Sequence, residues 1–248
     1  MDVEQKINIG RAVKAAADIL LPRVCMVCGR KLLVDESFMC IYCSADLPLT
    51  HFWQMQHNPM ADRFNAKIQE HIDEFVSVGY APALALFHFQ HDNGYRHIPY
   101  ELKYKGNIPA GKYFAGMLAD KIADCAWLQD IDAVIPVPLH WLRRLKRGYN
   151  QSEVIGSVIA RRLLVPLRTD ILLRNRRTKT QTKLTVAQKA ANVHGAFSVN
   201  PRTKMPALRH ILIVDDVFTT GSTLCECYRP LRHAFPEAKI SVATLAFV

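Results

Sequence analysis

After residue 78 the chain alternates between short apolar runs and amphipathic patterns, and this alternation limits the possible fold more than any other feature. The apolar runs cover residues 83–89, 133–137, 211–214 and 240–247, and helical periodicity marks residues 98–105, 112–123, 151–164 and 223–234. Strands that are apolar on both faces are typical of a parallel sheet covered by helices on both sides. We therefore predict an α/β domain with a mostly parallel sheet flanked by helices.

Four of the seven cysteines form two Cys-x-x-Cys pairs within the first fifty residues. Each pair can form a turn that directs two thiolates at one ion, and two such turns supply the four ligands of a closed tetrahedral zinc site. The predicted ligands are Cys25, Cys28, Cys40 and Cys43. Two disulfides or a dithiol redox pair are the alternatives. Because so short a segment makes little core, we expect the zinc to be structural.

The cysteine pattern also bears on location. An odd number of cysteines, four of them grouped as metal ligands, favours the reducing cytoplasm. No window contains the roughly 18 apolar residues that are needed to cross a bilayer. The apolar stretch at residues 12–24 is interrupted by Lys14 and Asp18, and it is typical of an amphipathic helix rather than of a signal peptide. We predict no transmembrane segment.

Composition divides the chain into three segments. Residues 1–50 hold the N-terminal helix and the four-cysteine zinc module, which we expect to resemble a zinc ribbon. Residues 51–77 form a connector with a helical pattern that includes Phe64 and Ile68. Residues 78–248 form the predicted α/β domain. We expect these boundaries to separate one main domain from a smaller unit.

The formal net charge of +10 is concentrated in the second half of the chain. Residues 140–210 hold 16 Lys and Arg, and their only acids are Glu153 and Asp170. Such an excess indicates a polyanion such as a nucleic acid, or a phosphorylated small molecule as the partner. A solvated, charged surface is the alternative.

A buried strand, two acids and a hydroxyl-rich turn follow one another at residues 210–223. Asp215 and Asp216 come after the apolar run, at the end of the strand where parallel sheets bind ligands. Gly221 permits tight curvature, and the backbone amides at the start of the next helix favour a phosphate. Adjacent carboxylates would repel that phosphate unless they face sugar hydroxyls or a divalent cation. A ribose 5-phosphate fits this division, whereas a simple helix N-cap explains Thr219 but not the paired acids.

The segment from Asp215 to Thr223 resembles the phosphoribosyl-pyrophosphate motif of type I phosphoribosyltransferases. Residues 133–151, which include Arg147, Gly148 and Tyr149, resemble the strand and pyrophosphate loop of those enzymes. The Arg-Gly-Tyr-Asn-Gln sequence at residues 147–151 is similar to a motif of the ComF (competence protein F, GntX-like) branch. Residues 174–197 resemble an extension found in that branch. Together with the zinc module, the resemblance covers nearly the whole chain.

The resemblance implies a role for each matching residue. Asp215 and Asp216 would be the catalytic acids, and they would bind the phosphoribosyl group together with Thr219, Thr220, Gly221, Ser222 and Thr223. The pyrophosphate loop would comprise Pro138, Leu139, His140 and Arg147, with Lys103 nearby; a solvated loop histidine is the alternative for His140. The nucleic-acid contacts would be Arg143, Arg144, Lys146, Arg147, Arg174, Arg176, Arg177, Lys179 and Lys183. We interpret residues 174–183 as a mobile loop over the site.

Three functions remain open from the sequence. A ComF-like protein would act in natural transformation, handling incoming single-stranded DNA in the cytoplasm while it binds phosphoribosyl pyrophosphate with Mg²⁺; its partners would include other DNA-uptake or recombination proteins. An active phosphoribosyltransferase would transfer phosphoribose to a nucleobase or amine and release pyrophosphate, although no acceptor pocket is evident in the sequence. A ligand sensor would use binding only to position the loop.

Overall fold

The structure is a computed structural model that describes residue 18 and residues 21–70, 79–90, 92–175, 195–204 and 207–248. The predicted N-terminal amphipathic helix falls almost wholly outside these residues, and so do residues 71–77 of the connector. Residues 176–183 of the predicted mobile loop also lie outside them.

A four-stranded parallel sheet forms the centre of the described fold, in the order β1-β6-β5-β2. Its strands are β1 (Ala83–His88), β2 (Ala133–Pro136), β5 (His210–Phe218) and β6 (Lys239–Phe247). Almost every residue of these strands is buried, which requires cover on both faces of the sheet. The predicted parallel α/β sheet is confirmed.

Seven α-helices and one antiparallel pair of strands accompany the sheet in the described residues. The helices are α1 (Ile41–Ala45), α2 (Pro59–Gln69), α3 (His97–Tyr100), α4 (Ile108–Ala123), α5 (Trp141–Arg147), α6 (Gln151–Leu163) and α7 (Ser222–Ala234). Helix α3 continues directly into a π-helical turn, Glu101–Lys105. Strands β3 (Leu172–Arg174) and β4 (Phe197–Val199) form a separate antiparallel pair.

Two pairs of helices supply the cover. Helices α4 and α6 pack on each other, and α6 also contacts β2 and β5. Helix α2 packs on β1 and on α7, and α7 packs on β5 and β6. The apolar face of α2 carries Met60, Phe64 and Ile68, which are fully buried. This part of the predicted connector therefore belongs to the same core as the sheet.

The cysteine module is joined to the sheet through the outer edge of β1. The backbone N–H of Thr50 donates to the carbonyl of Leu86 at 3.1 Å, and the N–H of His88 donates to that of Pro48 at 2.8 Å. Cys25 and Cys40 are buried in the hydrophobic core that also contains the sheet. Covering this edge protects β1 from pairing with another chain.

Strand β5 is longer than the sequence pattern predicted. The apolar run ends at Val214, but the strand continues to Phe218 because the nine residues of β6 keep pairing beside it, with Asp215 opposite Thr244 and Phe218 opposite Phe247. The two acids therefore lie within the strand rather than after it. Pairing on β6 fixes their backbone, which a loop would leave free.

Candidate functional site

The turn after β5 has the geometry of an anion cradle. Gly221 adopts a left-handed conformation, with φ of +76°, and α7 begins at the next residue. A side chain at this position would bring a Cβ atom within 2.8 Å of the Phe218 ring, so the turn depends on glycine. The hydroxyls of Thr220 and Ser222 lie 3.0 Å apart. A helix N-terminus with free N–H groups and hydroxyls favours a phosphate.

The two carboxylates that precede this turn have different partners. The Ser152 hydroxyl donates to Asp215 at 2.8 Å, while the ammonium of Lys103 lies 3.0 Å from a carboxylate oxygen of Asp216. Burial and the neighbouring charge of Asp216 raise the pKa of Asp215 to about 6. Burial acts to lower the pKa of Lys103, but the two carboxylates outweigh it and the pKa rises. The lysine therefore stays charged and supplies a cation to the acid pair.

A second loop, after β2, faces the cradle. Asn150 holds this loop in place because its side-chain nitrogen donates to the Val137 carbonyl at 3.0 Å. Its side-chain oxygen accepts from the backbone N–H of Ser152 and so caps α6. Pro138 and Leu139 line the same cavity as the cradle. His140 is buried rather than solvated, and its Nδ1 accepts from the backbone N–H of Leu142 at 3.3 Å, where it caps α5.

One cavity of about 920 Å³ joins these elements. Of the residues predicted for the phosphoribosyl and pyrophosphate subsites, it is lined by Lys103, Pro138, Leu139, Arg147, Asp215, Asp216, Thr219, Thr220 and Thr223. Gly221 and Ser222 shape the turn behind the lining. A volume at the upper end of the usual range for small-molecule sites leaves room for more than one chemical group.

The residues predicted to contact nucleic acid separate into three groups. Arg143, Arg147 and Arg174 line the cavity. Arg144 lies outside the lining and pairs with Glu153 at 2.8 Å, and the exposed Lys146 is also outside it. The remaining four, Arg176, Arg177, Lys179 and Lys183, lie outside the described residues, so their role stays a prediction.

A wall of the cavity that sequence reasoning missed comes from residues 89–104. It contributes Phe89, Arg96, His97, Tyr100 and Tyr104 in addition to Lys103. These residues follow β1 at the carboxyl edge of the sheet, and this position is the signal that was available from the sequence.

Arg63 from α2 also reaches the cavity, and it was missed as well. Its guanidinium donates to the carbonyl of Thr219 at 3.2 Å and to that of Val248 at 2.7 Å, and it lies over the Phe247 ring. These contacts hold the end of β6 beside the start of the cradle. No local motif marks Arg63, because it acts on residues more than 150 positions away.

The four predicted zinc ligands come together. The sulfur atoms of Cys25, Cys28, Cys40 and Cys43 all lie within 4.8 Å of one another, and those of Cys28 and Cys40 are 3.8 Å apart. Tetrahedral Zn²⁺ with bonds of about 2.3 Å places its ligands about 3.8 Å apart, so the donor set fits this ion. All seven cysteines are free, which does not support the disulfide alternative.

Both Cys-x-x-Cys turns contact Gly94 and Tyr95, which lie within the cavity wall at residues 89–104. The Tyr95 hydroxyl donates to the Cys43 carbonyl at 2.9 Å. A Cβ atom at Gly94 would lie only 2.0 Å from the Val27 carbonyl oxygen. The cysteine module thus braces the turn immediately before Arg96.

Known proteins identify the fold family. The model of the phosphoribosyl transferase domain matches residues 149–248. The DNA utilization protein YhgH of Escherichia coli O157:H7 is 30% identical over 207 residues, which cover 82% of this chain and 81% of that protein. The chain belongs to the ComF family. This family lies within the phosphoribosyltransferase superfamily, as the sequence resemblance predicted.

Other relatives agree with this assignment. Competence protein F of Haemophilus influenzae is 39% identical to this ComF family member over 101 residues, which cover 41% of the chain but only 44% of that protein. Among solved structures, orotate phosphoribosyltransferase from Aeropyrum pernix aligns over 73% of this chain and 78% of its own, with 16% identity and a TM-score of 0.32. At such a score the fold assignment depends on the sheet topology and the family match instead. None of the described helices is both long and apolar enough to span a bilayer.

Proposed function

We propose that this protein acts in natural transformation, where it handles incoming single-stranded DNA in the cytoplasm and binds phosphoribosyl pyrophosphate with Mg²⁺. The supporting observation is the single cavity that combines a phosphate cradle, an acid pair and six Lys and Arg side chains. The names of its relatives, competence protein F and DNA utilization protein, support the transformation role. The free thiols and the four-cysteine cluster support a reducing compartment.

In this proposal each part of the cavity binds a different chemical group of phosphoribosyl pyrophosphate. The 5-phosphate binds the backbone amides and hydroxyls of Thr219, Thr220 and Thr223, and the ribose hydroxyls donate to Asp215 and Asp216. The diphosphate contacts the loop at Pro138 and Leu139, with Arg147 beside it. Mg²⁺ would arrive with the diphosphate and take oxygen ligands from the acid pair, which is the donor type it prefers.

The nucleic-acid part of the proposal rests on the basic side chains around the same cavity. Arg143 and Arg174 would neutralise backbone phosphates of a single strand. Burial, and secondarily the charge of Arg143, lower the pKa of Arg174, and a phosphate anion bound beside these two cations would oppose that shift. Residues 1–50, 51–77 and 78–248 remain the proposed segments, although helix α2 of the connector packs in the same core as the sheet. The zinc module would be a structural unit, and the protein partners would be other DNA-uptake or recombination proteins.

Isothermal titration with phosphoribosyl pyrophosphate and Mg²⁺ tests the first part. We expect binding by the wild-type protein and at least tenfold weaker binding by the Asp216→Asn variant, because one hydrogen bond to a charged group contributes about 1.5–3 kcal/mol. The Asp120→Asn variant, altered on the surface of α4, is the matched control. Absence of binding by the wild-type protein would refute this part.

A pyrophosphate-release assay then separates the proposed role from the alternative, an active phosphoribosyltransferase. Release with a nucleobase or amine, abolished by Asp215→Ala and Asp216→Ala, would establish catalysis. Binding without release across a broad acceptor panel would favour the DNA-handling role.

The salt dependence of single-stranded DNA binding tests the second part. Each lost phosphate contact reduces the slope of log affinity against log salt by about 0.7. We expect this reduction for Arg143→Ala, which alters the cavity lining. Arg162→Ala, which removes a surface partner of Asp120 outside the lining, should leave the slope unchanged. Equal slopes for both variants would remove Arg143 from the DNA-binding surface.

A further inference from the structure

We propose that Tyr100 and Tyr104 form a stacking platform for nucleobases in the cavity that also contains the phosphate cradle. This rests on the proposed function, because the cradle would hold the phosphoribosyl part of the same ligand or a neighbouring one. Both tyrosines line the cavity, yet they are 47% and 55% exposed, so their rings are open to the space that a ligand would fill.

The geometry of the two rings suits a planar partner. Their centroids are 5.1 Å apart with the ring planes inclined at 44°, and the guanidinium of Arg147 lies 5.7 Å from the centroid of Tyr104. Each ring therefore presents its own face, and each can stack with a separate base. Aromatic rings and arginine planes are the usual stacking partners of unpaired bases.

The local backbone holds this wall in place. Tyr104 lies on the π-helical turn Glu101–Lys105, and such turns are frequent at functional sites. The Tyr149 hydroxyl donates to the Leu102 carbonyl within that turn. Because Tyr149 belongs to the loop segment after β2, the platform is tied to the loop that faces the cradle.

The chemistry around the tyrosines favours a base over other planar ligands. The same cavity offers donors for phosphate at the cradle, acceptors for sugar hydroxyls at Asp215 and Asp216, and aromatic surface at the platform. Phosphate, sugar and base are the three parts of a nucleotide. The excess of Lys and Arg in the lining disfavours a cationic aromatic ligand.

Binding of two labelled ten-nucleotide probes by the full-length protein tests the platform. One probe is oligodeoxythymidylate, and the other is an abasic strand of equal length and charge. We expect Tyr100→Ala and Tyr104→Ala each to weaken thymidylate binding about tenfold, since stacking is worth about 1–3 kcal/mol per base. Binding of the abasic strand should change much less. Tyr100→Phe and Tyr104→Phe keep the aromatic ring and should bind the thymidylate probe with wild-type affinity.

A control and a second arm complete the test. Met55→Ala removes a comparably exposed large side chain (49%) that does not line the cavity, and it should change neither affinity. A panel of free nucleobases, titrated in the presence of phosphoribosyl pyrophosphate and Mg²⁺, shows whether the platform serves a small acceptor instead of a strand. Loss of base binding in either arm supports the proposal.

Two results would overturn it. One is an equal loss for the thymidylate and abasic strands together with no effect on free bases, which would mean that the tyrosines support the wall without touching a base. The other is no loss in either arm. Failure of the proposed function is distinguishable, because wild-type affinity for phosphoribosyl pyrophosphate is measured separately and the comparison of the two strands does not depend on it.

Discussion

Gly94 is the residue at which one added methyl group would separate the cysteine module from the wall of the cavity. A Cβ atom there would lie 2.0 Å from the carbonyl oxygen of Val27 and 2.8 Å from its carbonyl carbon. Val27 lies in the turn between Cys25 and Cys28, and both of these cysteines are predicted zinc ligands. We predict that Gly94→Ala weakens zinc binding and disturbs the cavity wall that begins at Arg96.

The magnitude follows from the distance. A carbon and a carbonyl oxygen approach to about 3.3 Å at closest, so the two backbones must separate by about 1.3 Å. Neither atom belongs to a flexible side chain that could rotate away. Overpacking of this kind costs about 3 kcal/mol. If loss of zinc relieves the strain fully, zinc affinity falls about 100-fold, and otherwise the melting temperature falls by about 6 °C or more.

Competition with a chromogenic chelator measures zinc affinity, and calorimetry of the same samples measures the melting temperature. Gly116→Ala is the matched control, because it places the same methyl group in helix α4 with no atom within 4 Å. That variant should gain about 0.5–1 kcal/mol from helix propensity. Wild-type zinc affinity and melting temperature in Gly94→Ala would refute the reasoning.

Three further predictions concern charge and metal. Lys103→Met leaves Asp216 buried beside Asp215 without its ammonium partner and should cost about 2 kcal/mol in urea unfolding, most of which Asp216→Asn in the same chain should restore. Burial lowers the pKa of His210 to about 4, so its contribution to stability is present above pH 6.5 and is lost as the pH falls towards 4. His210→Gln should remove this dependence of the free energy of unfolding on pH. Asp215, with a pKa of about 6, contributes a dependence of the opposite sign over the same range. Chelation of zinc should lower the affinity for phosphoribosyl pyrophosphate together with the helical signal, and unchanged affinity would show that the module does not brace the cavity.

The local features of this chain could be predicted because each depends on neighbours in sequence. The four parallel strands are continuous apolar runs, and the cradle at Gly221 is a strand, a turn and a helix start in one segment. The grouping of the four cysteines is equally local, since each Cys-x-x-Cys pair supplies its own turn. The length of β5 was underestimated because it depends on pairing with β6, which begins more than twenty residues later.

The contacts between distant segments could not be read from the sequence. Arg63 meets Thr219 only because α2 packs beside the carboxyl ends of β5 and β6. The ion pair between Lys103 and Asp216 was not predicted either, while the place of Lys103 on the diphosphate side stays a prediction. Predicting either contact requires the order of the strands, which the apolar pattern alone does not determine.

The distribution of charge illustrates the same point. The sequence places the positive excess in residues 140–210, but only half of the six Lys and Arg that line the cavity come from there. Arg63, Arg96 and Lys103 come from earlier segments, and two of these lie in the first hundred residues, where acids outnumber bases. Folding therefore brings positively charged side chains from separate segments of the sequence together in one cavity. Because these three side chains remain when Arg143, Arg147 and Arg174 are all replaced by alanine, we expect such a variant to retain measurable, salt-sensitive binding of phosphate ligands. Complete loss would show that the residues after 140 account for the attraction alone.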